Sequence, residues 1–332
     1  MRRGVTYGVM AGAIWGTVFL VPRLLPDFPP MMLGAARCMM YGLVSLAVAL
    51  PMARRLAAKL TRADLAAIGT LALVGNLVYY VLLTAGVHRV GIGPTSLVVG
   101  VLPVTVTLAG RRDAGAVALD RLLWPLLLVV AGLVCINVDV FAPGPIETGA
   151  TGVIDKLVGL LCAAGALASW TWFAVENARY LRRHPRFDGN EWSVLLGLAT
   201  GVLGAVLWLA CPLLPSAMSA TLTAPSTPLP DARWHAFWLL NLGLAVGASW
   251  LGTALWNAAS KRLPLTLSGQ LIVFETLFAL LYGFIYEARL PRPLEAAAIV
   301  LLLAGVTWSV RRHDDGARGP ATIDGCANTP AP

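Results

Sequence analysis

Residues 4–24 read GVTYGVMAGAIWGTVFLVPRL, a nearly uninterrupted apolar run preceded by Arg2 and Arg3. At 1.5 Å per residue, a helix of about 20 such residues crosses a hydrocarbon core of about 30 Å. Nine further runs of this kind follow, near 30–52, 65–88, 92–109, 120–140, 156–180, 191–211, 236–260, 264–286 and 293–311. They are continuous rather than alternating, and each far exceeds the roughly 10 residues of a barrel strand. The reading is an all-α integral membrane protein with ten transmembrane helices.

Composition agrees. Hydrophobic residues make up 58% of the 332 and charged residues 13%, against about 25% charge in a soluble domain. The net charge of +8 raises the question of nucleic acid, but its distribution answers otherwise. With the N-terminus in the cytoplasm, eighteen basic residues fall on inner segments, among them Arg54, Arg55, Lys59 and Arg62, and Arg179, Arg182, Arg183 and Arg186. Six fall outside (Arg23, Arg89, Lys156, Arg233, Arg289, Arg292), and Arg37 lies within a span. This is the positive-inside bias, which predicts an inner-membrane, multi-pass chain with both termini cytoplasmic. No nucleic-acid partner is expected; the partners are the lipid bilayer and a small-molecule substrate.

Met1-Arg2-Arg3 before an apolar run resembles a signal peptide, but the run continues past Ala11-Gly12-Ala13 and reads as a signal-anchor. Cys38, Cys135, Cys162, Cys211 and Cys326 show no CxxC spacing, and the four histidines are dispersed, so neither a metal site nor a cofactor is expected. Gly91-Ile92-Gly93 lacks the third glycine and preceding strand of a dinucleotide loop and reads as a tight turn. No GxSxG, Walker A or HExxH string is present. The Pro-rich 212–235 stretch reads as an external loop, and the polar 312–332 tail as disordered and cytoplasmic.

A shift of 173 residues places Ala85, Arg89 and Gly110 on Ala258, Arg262 and Gly283; a shift of 155 places Trp15 on Trp170. Two five-helix repeats are implied, 1–140 and 153–311, joined by a linker at 141–152. Five being odd, the second enters the bilayer in the opposite sense. Inverted repeats support alternating access about a site at the midplane.

The order of motifs now matters. Ala13-Ile14-Trp15-Gly16 is followed by Arg37, by Gly75 to Tyr79-Tyr80 and Ala85, and by His88-Arg89, Thr95-Ser96 and Pro103. Trp170-Thr171-Trp172-Phe173, Trp256, Lys261-Arg262, Ser268-Gly269, Glu275 and Tyr286-Glu287-Ala288-Arg289-Leu290 then come in the second half. Over almost its whole length the chain resembles the drug/metabolite transporter superfamily, EamA type. That resemblance implies ten helices with cytoplasmic ends around a central cavity, and a carrier of small metabolites, often outward. His88 stands where the family often has lysine, and Thr276 where it usually has proline.

Within the spans, polar residues are the candidate site. An ionised side chain at mid-bilayer costs about 2.5–3.5 kcal/mol on insertion scales, so it faces a cavity or a partner. Arg37 and Glu275 lie at similar depths and are candidates to bind a charged substrate group, to respond to a proton, or simply to bridge two helices. Trp15, Asn76, Tyr80, Trp170 and Gln270 are the other cavity candidates, with Asn76 and Tyr80 one turn apart. Glu176-Asn177 and Asp139 read instead as solvated helix ends. Gly4, Gly8, Gly12 and Gly16 form a stripe along the first span that admits close helix packing, or sliding during transport.

The sequence thus predicts a secondary transporter of a small organic metabolite rather than an enzyme, with efflux as the direction that the family resemblance implies. The alternatives are a membrane-embedded enzyme acting on a lipid-linked substrate and a non-transporting receptor or assembly factor.

Overall fold

The computed structural model describes residues 2–109, 153–211, 228–260 and 271–317, with isolated positions between 124 and 131. Among these residues all regular secondary structure is helical. Six of the helical stretches are long and apolar enough to cross a membrane: Arg3–Leu24, Pro30–Lys59, Arg62–Val90, Val153–Leu181, Gly189–Ala210 and Asp231–Trp256. Shorter apolar helices cover Ile92–Val106, Val273–Tyr286 and Pro293–Gly305. The expected span at 120–140 and the linker at 141–152 lie outside the described residues, apart from those isolated positions.

Helix α1 runs Arg2–Leu24 and α2 Pro30–Ala49. Pro30 sits at the first helical position of α2, where a missing N–H costs nothing. Pro51 then falls in a 3-10 turn, Leu50–Met52, so α2 stops three residues short of the expected 52 and the short α3, Ala53–Lys59, follows. Helix α4, Arg62–Ala72, begins at a capping box in which Thr61 and Asp64 satisfy each other's backbone N–H. It passes through a π-helical segment, Leu73–Val78, into α5, Tyr79–Val90.

Gly91 makes the turn after α5 at φ 92°, in a region that glycine enters without a Cβ penalty. The fourth expected span, 92–109, is divided in the structure: α6 is Ile92–Val99 and α7 is Leu102–Ala109. Pro103 explains the break, because it has no N–H to give the Val99 carbonyl one turn earlier.

Helix α8 is long and continuous, Val153–Arg183. Helix α9, Gly189–Ala210, opens on a second capping box, Asp188 with Glu191. Helix α10, Asp231–Leu244, leads through a second π-helical segment, Ala245–Leu251, into α11, Gly252–Ser260. Helix α12 is Val273–Tyr286 and α13 is Pro293–Ala317. The last helix therefore carries six residues of the tail expected to be disordered, and residues beyond 317 lie outside the described set.

Two close crossings organise the packing. Where α2 meets α9, a Cβ on Gly42 would run into the Gly201 backbone, and a Cβ on Gly201 into the Gly42 backbone. Where α1 meets α12, a Cβ on Gly12 would lie 2.7 Å from Phe274 Cβ and one on Gly16 2.9 Å from the Ala279 nitrogen, while one on Gly8 would strike Leu271. Gly4 is buried at the start of the same helix. Lipid supplies little drive for apolar helices to associate, so dispersion across such small-residue seams carries the contact. The largest buried cluster gathers Phe19, Phe28, Leu33, Tyr79, Tyr80 and Phe237, with Trp15 and Trp170 packed against it.

Candidate functional site

A buried polar group forms where α2 packs on α5, and α12, packed on α1 and α6, carries the acidic candidate Glu275. Tyr80 is fully buried, and the Arg37 guanidinium carbon lies 4.2 Å from its ring centroid. This is a cation–π stack, which helps hold a cation in a poorly solvated place. Arg37 Nε is buried without a hydrogen-bond partner. The hydroxyls of Tyr80 and Thr84, one turn apart, are likewise buried and fall short of hydrogen-bond geometry. Thr95 on α6 adds a fourth unpaired buried group.

Glu275 is 9% exposed, in the first turn of α12 beside the close approach of Gly12. Arg37, on α2, is the basic residue expected at a similar depth. Yet among the described residues the two form no ion pair within 4.0 Å. The arginine rests on Tyr80 instead. Next along, the Thr276 hydroxyl donates to the Ser96 carbonyl at 3.4 Å, joining α12 to α6.

Of the remaining sequence candidates, Trp15 and Asn76 have a polar atom engaged in a hydrogen bond. Trp15 donates its indole N–H to the Ala248 carbonyl at 2.9 Å, and its ring lies 5.4 Å from that of Trp256. Ala248 sits in the second π-helical segment, where wider hydrogen-bond rings can leave a carbonyl open to a side chain. Asn76, in the first π-helical segment, donates to the Thr200 hydroxyl of α9 at 3.1 Å. Trp170 packs 6.4 Å from Tyr79 and 5.9 Å from Phe173. Gln270 lies outside the described residues. Trp172 and Trp250 are 40% and 46% exposed.

A second polar cluster, for which the sequence gives only a faint signal, closes one end of the bundle. Asp64 is fully buried: it accepts from the Thr61 N–H and hydroxyl at 2.7 Å, from the Tyr180 hydroxyl at 2.6 Å, and from Arg186 at 2.5 and 2.6 Å. Glu191, also fully buried, accepts from the Asp188 N–H at 3.0 Å, from Lys59 at 2.8 and 2.7 Å, and from Arg55 at 2.7 Å. Tyr180 stacks on Trp192 at 5.0 Å, and Trp192 donates to Asn177 at 2.6 Å. Asn177, expected as a solvated helix end, is thus a hydrogen-bond acceptor in this cluster. The signal is a pair of capping boxes, Thr61-x-x-Asp64 and Asp188-x-x-Glu191.

At the other end two ion pairs have exposed carboxylates, while Glu295 is as buried as the carboxylates of the first cluster. Arg233 meets Asp27 at 2.5 Å with side chains 34% and 42% exposed, and Arg89 meets Asp155 at 3.2 Å. Arg289 grips Glu295 through two bonds, 2.6 and 2.8 Å. The carboxylates Glu295 and Glu287 hold the Arg289 guanidinium even more firmly protonated than usual.

Apolar helices with charge gathered at their ends and a small polar group at the centre define a multi-span membrane protein. The model of the EamA-like transporter family matches residues 2–138. Inner membrane protein YtfF of Escherichia coli strain K12 is 32% identical over 326 residues, covering 94% of this chain and 96% of that protein. The chain belongs to the EamA-like transporter family. A solved structure at 19% identity covers 94% of this chain and 98% of its own with a TM-score of 0.63, a likeness of fold alone.

Proposed function

We propose that this protein is a secondary carrier that moves a small organic metabolite across the inner membrane, outward, by alternating access of two inverted five-helix repeats. The repeats are 1–140 and 153–311, and both termini are cytoplasmic. The observation that carries this reading is the reciprocal crossing of α2 and α9, in which Gly42 and Gly201 each block a Cβ on the other. A contact that reads the same from both sides is what a two-fold relation between the repeats would produce. The two π-helical segments add support: shifted by the same 173 residues that align Ala85 with Ala258, Leu73–Val78 falls on 246–251, within Ala245–Leu251.

In this reading Arg37, Tyr80 and Glu275 contact the substrate, with Trp15, Asn76, Trp170 and Gln270 shaping the surrounding pocket. Arg37 and Glu275 offer opposite charges that do not neutralise each other by contact, so either is open to a charged substrate group or, at Glu275, to a proton. With no ATP-binding motif in the sequence, the drive is a proton gradient, exchange, or the substrate's own gradient. A membrane enzyme acting on a lipid-linked substrate would need free acid and base groups at one face. The buried carboxylates there, Asp64 and Glu191, are both committed to cations and caps.

The test compares extracellular metabolites of cells lacking and overproducing the protein, then measures flux of the candidates in liposomes. Uptake or release above protein-free liposomes is expected. Purified protein that moves none of them sinks the carrier reading.

A further inference from the structure

The clasp built on Asp64 and Glu191 is reciprocal across the two halves of the chain. Asp64 belongs to the first half and takes Arg186 and Tyr180 from the second. Glu191 belongs to the second and takes Lys59 and Arg55 from the first. Each carboxylate is also the third residue of its helix and caps that helix. We propose that this double clasp is a gate, which releases and re-forms at this end of the molecule in each transport cycle.

The inference rests on the carrier reading, and four features of the clasp support it. First, neither carboxylate is stranded when its cations leave. Asp64 keeps the Thr61 N–H and hydroxyl, and Glu191 keeps the Asp188 N–H, all bonds within its own half. A buried charge stripped of every partner would lock such a contact shut; a capped one does not.

Second, the cations can leave. Arg55, Arg186 and Lys59 are 62%, 40% and 26% exposed, on long flexible side chains that gain water as they lose the carboxylate.

Third, the clasp sits at the end of a lever. The α2–α9 crossing at Gly42 and Gly201 lies about 15 Å along α9 from Glu191 at 1.5 Å per residue. The same seam continues from Gly204 against Cys38 to Gly197 against Ser45, so in the proposed cycle α2 and α9 tilt about a packed seam and the release is confined to the connections beyond it.

Fourth, the opposite end has a corresponding pair. Asp27 precedes α2 in the first half, and Arg233 lies in the first turn of α10 in the second. Under a two-fold relation, the connection before α2 exchanges with that before α9, and the connection before α10 with that before α4. The Asp27–Arg233 pair therefore occupies the counterpart of the clasp, in more exposed and more screened form. The buried Arg289–Glu295 pair at that opposite end lies wholly within the second half, so among the described residues the clasp is the buried ion-pair contact that joins the two halves.

Two measurements test the gate. In a Lys59→Cys/Glu191→Cys protein whose five native cysteines are replaced by serine, a reversible bifunctional thiol reagent is expected to cut flux in liposomes at least tenfold, with recovery on reduction. Either single variant treated alike should be unaffected. If the cross-linked protein transports as fast as the reduced one, the clasp is permanent glue and the proposal fails.

The second measurement needs no substrate. Spin labels at Ala58 and Asn190, both exposed, report the separation of the two halves at this end. Lys59→Gln leaves both capping boxes intact and is expected to enlarge a longer-distance population. A single distance, unchanged by that substitution, overturns the gate. Wild-type protein that moves no metabolite would instead sink the carrier reading, and the distance measurement would still decide the clasp.

Discussion

Arg37 lies over the face of Tyr80, 4.2 Å from guanidinium carbon to ring centroid, rather than in contact with Glu275. The ring, not the hydroxyl, makes this contact, since the hydroxyl has no hydrogen-bond partner. Tyr80→Phe should therefore keep flux within about twofold, while Tyr80→Leu loses a stack worth about 0.5–2 kcal/mol. The expected result for Tyr80→Leu is a fall in flux of about tenfold in protein that still inserts. Equal flux from both variants in liposomes would remove Tyr80 from the site.

Because Arg37 and Glu275 form no ion pair within 4.0 Å, exchanging them should not restore function. The Arg37→Glu/Glu275→Arg protein is expected to remain folded in detergent and to be inactive. Recovery of transport in the double variant, against inactive singles, would mean that the two residues serve only as an interhelical bridge.

Gly42→Ala and Gly201→Ala each drive a methyl group into the facing backbone. Overpacking of this kind costs about 1–3 kcal/mol, and thermal unfolding in detergent should show a lowered midpoint for both. At Gly69 and Gly243, both within helices, an added methyl would meet nothing within 4 Å, so the same change there is expected to hold the midpoint or raise it. Four equal shifts would remove the crossing from its central place in the packing.

Gly12 faces Phe274 and the backbone of Glu275 at once. Gly12→Leu is expected to abolish flux by wedging α1 away from α12. Normal flux in well-inserted protein would rule out any need for this seam to stay close or to slide.

The bond from Asn76 to Thr200 joins the first π-helical segment to α9. A double-mutant cycle with Asn76→Leu and Thr200→Val should yield a coupling of about 0.6 kcal/mol, the average found for hydrogen bonds between membrane helices. Strict additivity would mean that the contact contributes nothing.

Much of the architecture was legible because lipid makes a simple demand: backbone polar groups must be satisfied within the segment, so long apolar runs become helices. The same demand makes Arg37 and Glu275 conspicuous, since charge inside a span is costly wherever it has no purpose. The turn at Gly91 was legible too, because glycine alone enters its φ freely. The interruption at Gly100–Val101 was less so: Pro103 announces that a hydrogen bond is missing, but not how the surrounding chain relaxes. The π-helical segments carry no composition of their own.

What the sequence by itself determined is the helical class, the family pattern and the short list of polar residues within the spans, all consequences of local composition and order. The tertiary structure decided which of those residues meet. Arg37 finds Tyr80 rather than Glu275, Asn76 finds Thr200, and the two capping carboxylates reach across to the other half of the chain. Such choices depend on how helices distant in sequence are rotated and spaced against each other, and seams such as Gly42–Gly201 set that spacing through contacts that exist only once the chain has packed.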